Sequence, residues 1–208
     1  MPAYTNPFGF EPVQRRDGLP YAGVAREYPI ATGYAHALRR GDLVRLLDSG
    51  ALVWCGDTTA IAGADTTDSG ILGIFMGCSY TDAVLGKTYR TYWTASTAAA
   101  DAIAMVVDDP EVIFRAAYVS GTTVVAEQTY AAVVGKNMSI VQNVTAAQYK
   151  FSDIAVSGVA TTSTLPIRCV DVDRASEFYP VTSPAKYTAV FATWGVGMHA
   201  FAHVAAAA

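Results

Sequence analysis

A chain of 208 residues can bury a sizeable core without disulfides or metals, and its length allows one large β domain or two small ones. Hydrophobic residues make up 52% and charged residues 15%, which excludes a disordered chain and falls below the roughly 25% charge of an ordinary domain, so a partner is expected to cover part of the surface. A net charge of −4 leaves no basic stripe for nucleic acid, and no run reaches the roughly 18 apolar residues of a membrane span.

Residues 1–30 carry Pro2, Pro7, Pro12, Pro20 and Pro29, with Gly9, Gly18 and Gly23 between them. Proline removes backbone donors and disfavours helix at the residue before it, so this spacing predicts an extended arm. Phe8, Phe10, Tyr21 and Tyr28 are its apolar handles, and it has two possible destinations, its own domain or a partner's surface. Residues 1–10 show no basic segment followed by an apolar run, so folding in a reducing cytosol is expected.

Short β segments with turn punctuation fill residues 30–119. Arg40-Gly41-Asp42 precedes a strand at 43–47, and Asp48-Ser49-Gly50 precedes one at 51–55, the pattern of a hairpin. A polar loop follows at 56–70. Residues 71–78 are apolar toward both faces, as in a buried central strand. Residues 88–94 alternate Tyr89, Thr91 and Trp93 with Arg90, Tyr92 and Thr94. Segments 103–107 and 111–117 flank the turn Asp108-Asp109-Pro110. Strand text continues at 122–125, 138–141 and 165–172, while the Ser/Thr/Gly-rich 157–164 reads as an exposed loop. Residues 187–204 bring Tyr187, Val190, Phe191, Trp194, Met198 and Phe201, broken by Gly195 and Gly197, and the chain ends in four alanines. Helix fits only short pieces at 95–104 and 126–134. The reading is all-β: an extended N-terminal arm (1–30), a small barrel or sandwich (31–120), and a second β-rich part with a C-terminal tail (121–208).

Catalytic chemistry is not evident. Gly86-Lys87-Thr88 resembles the end of a phosphate-binding loop, but Thr81 stands where its first glycine belongs and strand text follows instead of a helix. His199 and His203 are four apart, yet Ala200 replaces the glutamate a zinc protease needs and His36 is far away, so hydrogen bonding at an interface is preferred to a metal. The carboxylates of 65–70 and of Asp171-Val172-Asp173 suit a hard cation but do not form a twelve-residue calcium loop; solvated loop residues are preferred, and a cation at 65–70 stays open. Asp108 and Asp109 are adjacent, so on a strand they would face opposite ways. Cys55, Cys78 and Cys169 form no Cys-x-x-Cys pair and read as small buried thiols. Asn137-Met138-Ser139 and Asn143-Val144-Thr145 match the glycosylation pattern by chance in a chain without a secretory signal. The expectation is no enzyme, no cofactor and no metal.

Six landmarks recur in a fixed order: Asn-Pro-Phe-Gly-Phe-x-Pro at 6–12, Tyr-Pro-Ile-Ala at 28–31, Gly-Asp-Leu-Val at 41–44, Ile-Leu-Gly-Ile-Phe-Met-Gly leading to Tyr-Thr-Asp at 71–82, Tyr92-Trp93, and Val-Val-Asp-Asp-Pro-x-x-x-Phe at 106–114. Together they cover about the first 120 residues. In this set the chain resembles the capsid cement (head-decoration) proteins of tailed bacteriophages. Beyond Gly121 the resemblance rests on a polar loop followed by Leu165-Pro166-Ile167-Arg168, and the Ala- and His-bearing tail departs from it. The resemblance implies a virion protein made in the host bacterial cytoplasm and bound to the outer surface of an icosahedral head. It implies a homotrimer at three-fold or quasi-three-fold junctions, with the major capsid protein and its own copies as partners. Contact residues are then sought in the arm (Asn6, Pro7, Phe8, Gly9, Phe10, Tyr21, Tyr28) and the tail (Trp194, His199, Phe201, His203). The alternative is a carbohydrate- or host-surface-binding β module of a phage tail or adhesin, in which Tyr89, Tyr92 and Trp93 would stack on sugar rings. A major capsid protein is set aside because the chain offers no long spine helix.

Overall fold

The computed structural model describes residues 7–47, 49–55, 70–120, 123–124, 130–142, 152–161, 165–173, 188–195 and 198–201. In chain order the elements are β1 (Glu11–Arg15), β2 (Arg26–Pro29), β3 (Leu38–Arg39), β4 (Leu43–Leu46), β5 (Leu52–Trp54), β6 (Gly73–Asp82), β7 (Gly86–Arg90), β8 (Tyr92–Trp93), β9 (Ile103–Val107), β10 (Val112–Ser120), β11 (Thr123–Val124), the single turn α1 (Tyr130–Val133), β12 (Asn137–Gln142), β13 (Ile154–Ala160), β14 (Ile167–Val172) and β15 (Thr188–Trp194). The all-β reading holds.

Two main sheets result, one of six strands and one of seven, with β3 and β8 forming a small third. In the first, strands run in the order β2-β9-β6-β4-β5, and a parallel bridge between Ile30 and Leu52 brings the two ends of the order together. The hairpin β4–β5 is in the register Val44↔Trp54, Arg45↔Val53, Leu46↔Leu52. In the second unit, β10, β13, β12, β14 and β15 form a closed barrel, because β15 pairs with both β14 and β10. Only the β10–β13 contact in that ring is parallel. Its interior holds Phe114, Met138, Ile154, Val156, Ile167, Val190 and Trp194.

The two cores share one wall. Along β4, β6 and β9, successive side chains point to opposite faces, and both faces are covered. Leu43, Ile74 and Val107 join the core of the closed barrel, while their neighbours Val44, Phe75 and Val106 fill the core of the first unit. That is why residues 71–78 read as a continuous apolar run.

The turn Asp108-Asp109-Pro110 carries the chain from the sheet of β9 to the sheet of β10. Of the arm's two possible destinations, the described residues take its own fold: β1 pairs with β10 (Glu11↔Arg115, Pro12↔Phe114) and β2 pairs with β9. Pro12 is tolerated because the ladder slips between Pro12 and Gln14, which spares a missing donor. The stretch 157–160 is not an exposed loop: it lies in β13, and Ser157 is buried there. Residues 88–94 break at Thr91 into β7 and β8. No helix forms at 95–104, and α1 is one turn within 126–134.

Candidate functional site

Most of the sequence landmarks meet where the two sheets join. The Phe10 amide donates to the Gly41 carbonyl at 3.0 Å, and the Gly41 amide donates to the Phe75 carbonyl at 2.9 Å. The Phe75 amide returns a bond to the Asp42 carbonyl at 2.8 Å. Phe10 packs edge-on against Phe114, with ring centroids 4.9 Å apart. Gly9 (φ 76°) and Gly41 (φ 94°) face each other here. A Cβ on Gly9 would sit 2.5 Å from the Ser152 Cβ and 2.8 Å from the Gly41 carbonyl oxygen, so only glycine fits the crossing.

A polar cluster lies beside this crossing. Asp42, 5% exposed, accepts the Arg39 amide at 2.7 Å and a bond from the Ser152 hydroxyl. The Ser152 amide donates to the Arg40 carbonyl at 3.0 Å, and Arg39 lies 3.8 Å from Asp153. Burial pushes the Asp42 carboxyl up to about 6, although the bonds from Ser152 and Arg39 and the Arg39 charge pull it down.

The other face of the junction carries Asp108 and Asp109. The Tyr28 hydroxyl donates to Asp108 at 2.6 Å, and Arg26 reaches the same oxygen at 3.2 Å. Arg15 pairs with Asp109 at 3.1 Å, and the Trp194 indole donates to the Asp109 carbonyl at 3.2 Å. The chain end returns here: the Ile71 amide donates to the Met198 carbonyl at 2.7 Å, and the Ala200 amide donates to the Ile71 carbonyl at 3.0 Å. His199, 2% exposed, lies between the rings of Trp194 (5.2 Å) and Phe201 (6.1 Å), and its Nδ1 accepts the Phe201 amide at 3.1 Å. Burial holds its pKa below the usual imidazole range, with Asp108 pulling the other way.

Over this face opens a cleft of about 530 Å³, with apolar walls from Tyr21, Val24, Pro110 and Phe201 and a rim that includes Arg15, Arg26 and Asp109. The Tyr21 hydroxyl donates to the Val24 carbonyl, and burial, with help from Asp109 and Asp108, pushes its pKa up to about 12. Arg26 lies over the Phe201 ring at 5.9 Å.

The residues expected to make contacts therefore part company. Pro7, Phe8, Gly9 and Phe10 are buried in their own fold, as are Trp194 and His199. Half-buried Tyr21 and Tyr28 and the 48% exposed Phe201 gather at the cleft and at the Asp108 network beneath it. Asn6 and His203, and residues 65–69 of the acidic loop, lie outside the described residues. Asp173 is engaged by Arg115 at 2.7 Å. Among the described residues no three His, Cys, Asp or Glu side chains are grouped to hold a metal. Trp93 is fully buried against Tyr80, while Tyr89 is exposed and Tyr92 half-buried, so the three rings make no shared platform.

The sequence reading passed over the β6–β7 finger. Its tip holds Val84 and Leu85, 89% and 67% exposed. The mount is stiff. Asp82 accepts the Val84 and Leu85 amides at 2.9 and 3.1 Å, Thr81 is bonded twice to Asp101, and Arg90 lies near the rings of Tyr80 and Tyr92. The available signal was Val84-Leu85 set between Asp82 and Gly86, two aliphatic residues where a turn is usually polar. Compared with known proteins, the chain matches no family model, no curated protein and no solved structure.

Proposed function

We propose that this protein is a structural component of a virion that binds the outside of an icosahedral phage head and stabilises it, as a trimer at three-fold or quasi-three-fold junctions. One observation carries the reading: the landmarks at 6–12, 28–31, 41–44 and 106–114, with the first half of the 71–82 run, pack against one another through Phe10, Gly41, Phe75, Phe114, Tyr28 and Asp108. The resemblance therefore covers one co-packed framework and not a scatter of short matches. A module of this kind needs rigidity more than chemistry, and a closed barrel sharing a wall with a second sheet supplies it. Its low charge leaves adhesion to apolar contact, and several copies acting together multiply a weak single contact.

The test adds the purified protein to heads stripped of their decoration and measures co-sedimentation and the temperature at which the heads open. Saturable binding and a raised opening temperature are expected. Protein that stays in the supernatant at every concentration would overturn the proposal. Removing residues 1–12 does not serve as the test, because it takes Phe8 and Phe10 out of the fold itself.

A further inference from the structure

We infer that copies of this protein associate head to tail, with the Val84–Leu85 fingertip of one copy seated in the Tyr21–Val24–Phe201 cleft of the next. The inference rests on the self-association in the reading above, and it goes further by naming both halves of the contact.

Placement is the first argument. The cleft sits where β9 ends, at Asp108 and Asp109, beside the start of β6 through the pair Ile74↔Val107. The finger begins where β6 runs past the other end of β9, beyond the pair Ser79↔Ile103. Ten residues of β6 separate the two ends, about 30 Å at the usual rise of a strand. Set at opposite ends of one ladder, a finger does not reach its own cleft but stands clear to meet that of a second copy.

Fit is the second argument. The cleft, about 530 Å³, has room for two branched aliphatic side chains, and its walls offer Tyr21, Val24, Pro110 and Phe201 to meet them. Asp82 holds the fingertip backbone in place before contact, so little ordering entropy is lost on docking. Both rims carry charges of each sign, Lys87 with Asp101 on the finger and Arg26 with Asp109 at the cleft, so neither surface presents a repelling single-signed field.

A contact between two different patches does not pair off as a two-fold dimer does. It closes into a ring or runs on as a filament.

The test uses full-length protein without heads, which separates it from the cement reading. Sedimentation velocity on the wild type is expected to show assemblies larger than the 22.0 kDa protomer. Leu85→Asp disables the finger and Val24→Asp disables the cleft; both residues are exposed, so the fold is kept. Each variant alone is expected to sediment as a monomer. An equimolar mixture is expected to stop at a dimer, because one good finger and one good cleft remain. A monomeric wild type, a single variant that keeps the wild-type mass, or a mixture that stays monomeric would overturn the inference. Head binding measured separately on the same samples then shows whether the cement reading stands or falls by itself.

Discussion

Asp42 gives the sharpest quantitative prediction. Its carboxyl lies at the joint and burial raises it from 3.8 to about 6, a shift of roughly two units, or about 3 kcal/mol. Because the folded state holds this proton more tightly than the unfolded chain, the contribution is fully present below about pH 4. It is lost as the pH rises through about 6. Asp42→Asn keeps an acceptor for the Arg39 amide and an amide group beside Ser152, and it cannot ionise. The measurement is urea unfolding of wild type and variant at several pH values from 4 to 7. Subtracting one curve from the other cancels carboxylates common to both, such as Asp82 and Asp101. Relative to the variant, the wild type should lose up to about 3 kcal/mol between pH 4 and 7, with most of the change before 6.5. For a chain of this size that corresponds to roughly 6–12 °C in Tm. A flat difference across the range would refute the reasoning, and so would a wild type that gains on the variant as the pH rises.

Other outcomes follow from the same contacts. Phe10→Ala should cost about 3–5 kcal/mol in chemical denaturation, since the void opens against Phe114 in a wall with little freedom to collapse. Gly9→Ala combines a left-handed φ with a Cβ 2.5 Å from Ser152, and should lower Tm more than Phe201→Ala, whose ring is half in solvent. Tyr28→Phe removes one donor to the buried Asp108 and should cost about 1–3 kcal/mol by urea titration. Cys78 and Cys169 are buried, with thiols pushed up to about 11 and about 12, while Cys55 is half-buried. A thiol reagent at pH 8 should therefore label the native protein first at Cys55, and the other two only on unfolding; peptide mapping reads the order.

Local patterns were legible in the sequence where neighbours in the chain are also neighbours in space. Gly and Asp at 40–42 and 48–50 announced the β4–β5 hairpin, and the two-faced run at 71–78 announced a central strand. Destinations were harder to read. Residues 7–12 are extended as their prolines require, but their partner is Phe114 and its neighbours, about a hundred residues away, and nothing in the local text names that partner. Buried small polar residues misled in β13. Ser157 reads as loop, yet it is buried in β13, and its carbonyl accepts the Ser139 hydroxyl at 2.7 Å. The role of the arm's rings was hard to read for a related reason: aromatic rings in a proline-rich segment look like handles for a partner, and Phe8 and Phe10 are buried anchors that fasten the segment to its own fold. The fingertip, with fewer apolar atoms, went unnoticed because two aliphatic residues do not stand out in an apolar chain.

The wall made by β4, β6 and β9 has a consequence for how the molecule yields. Each of its residue pairs serves two rooms at once, so neither barrel can lose its lining without stripping the other. The halves are neither independent beads on a string nor plates about a hinge. Heat or pulling should bring both down in one step, and a fragment ending at Asp108 would expose Leu43, Ile74 and Val107 to water and aggregate. Load applied to one half of the molecule is therefore borne by both.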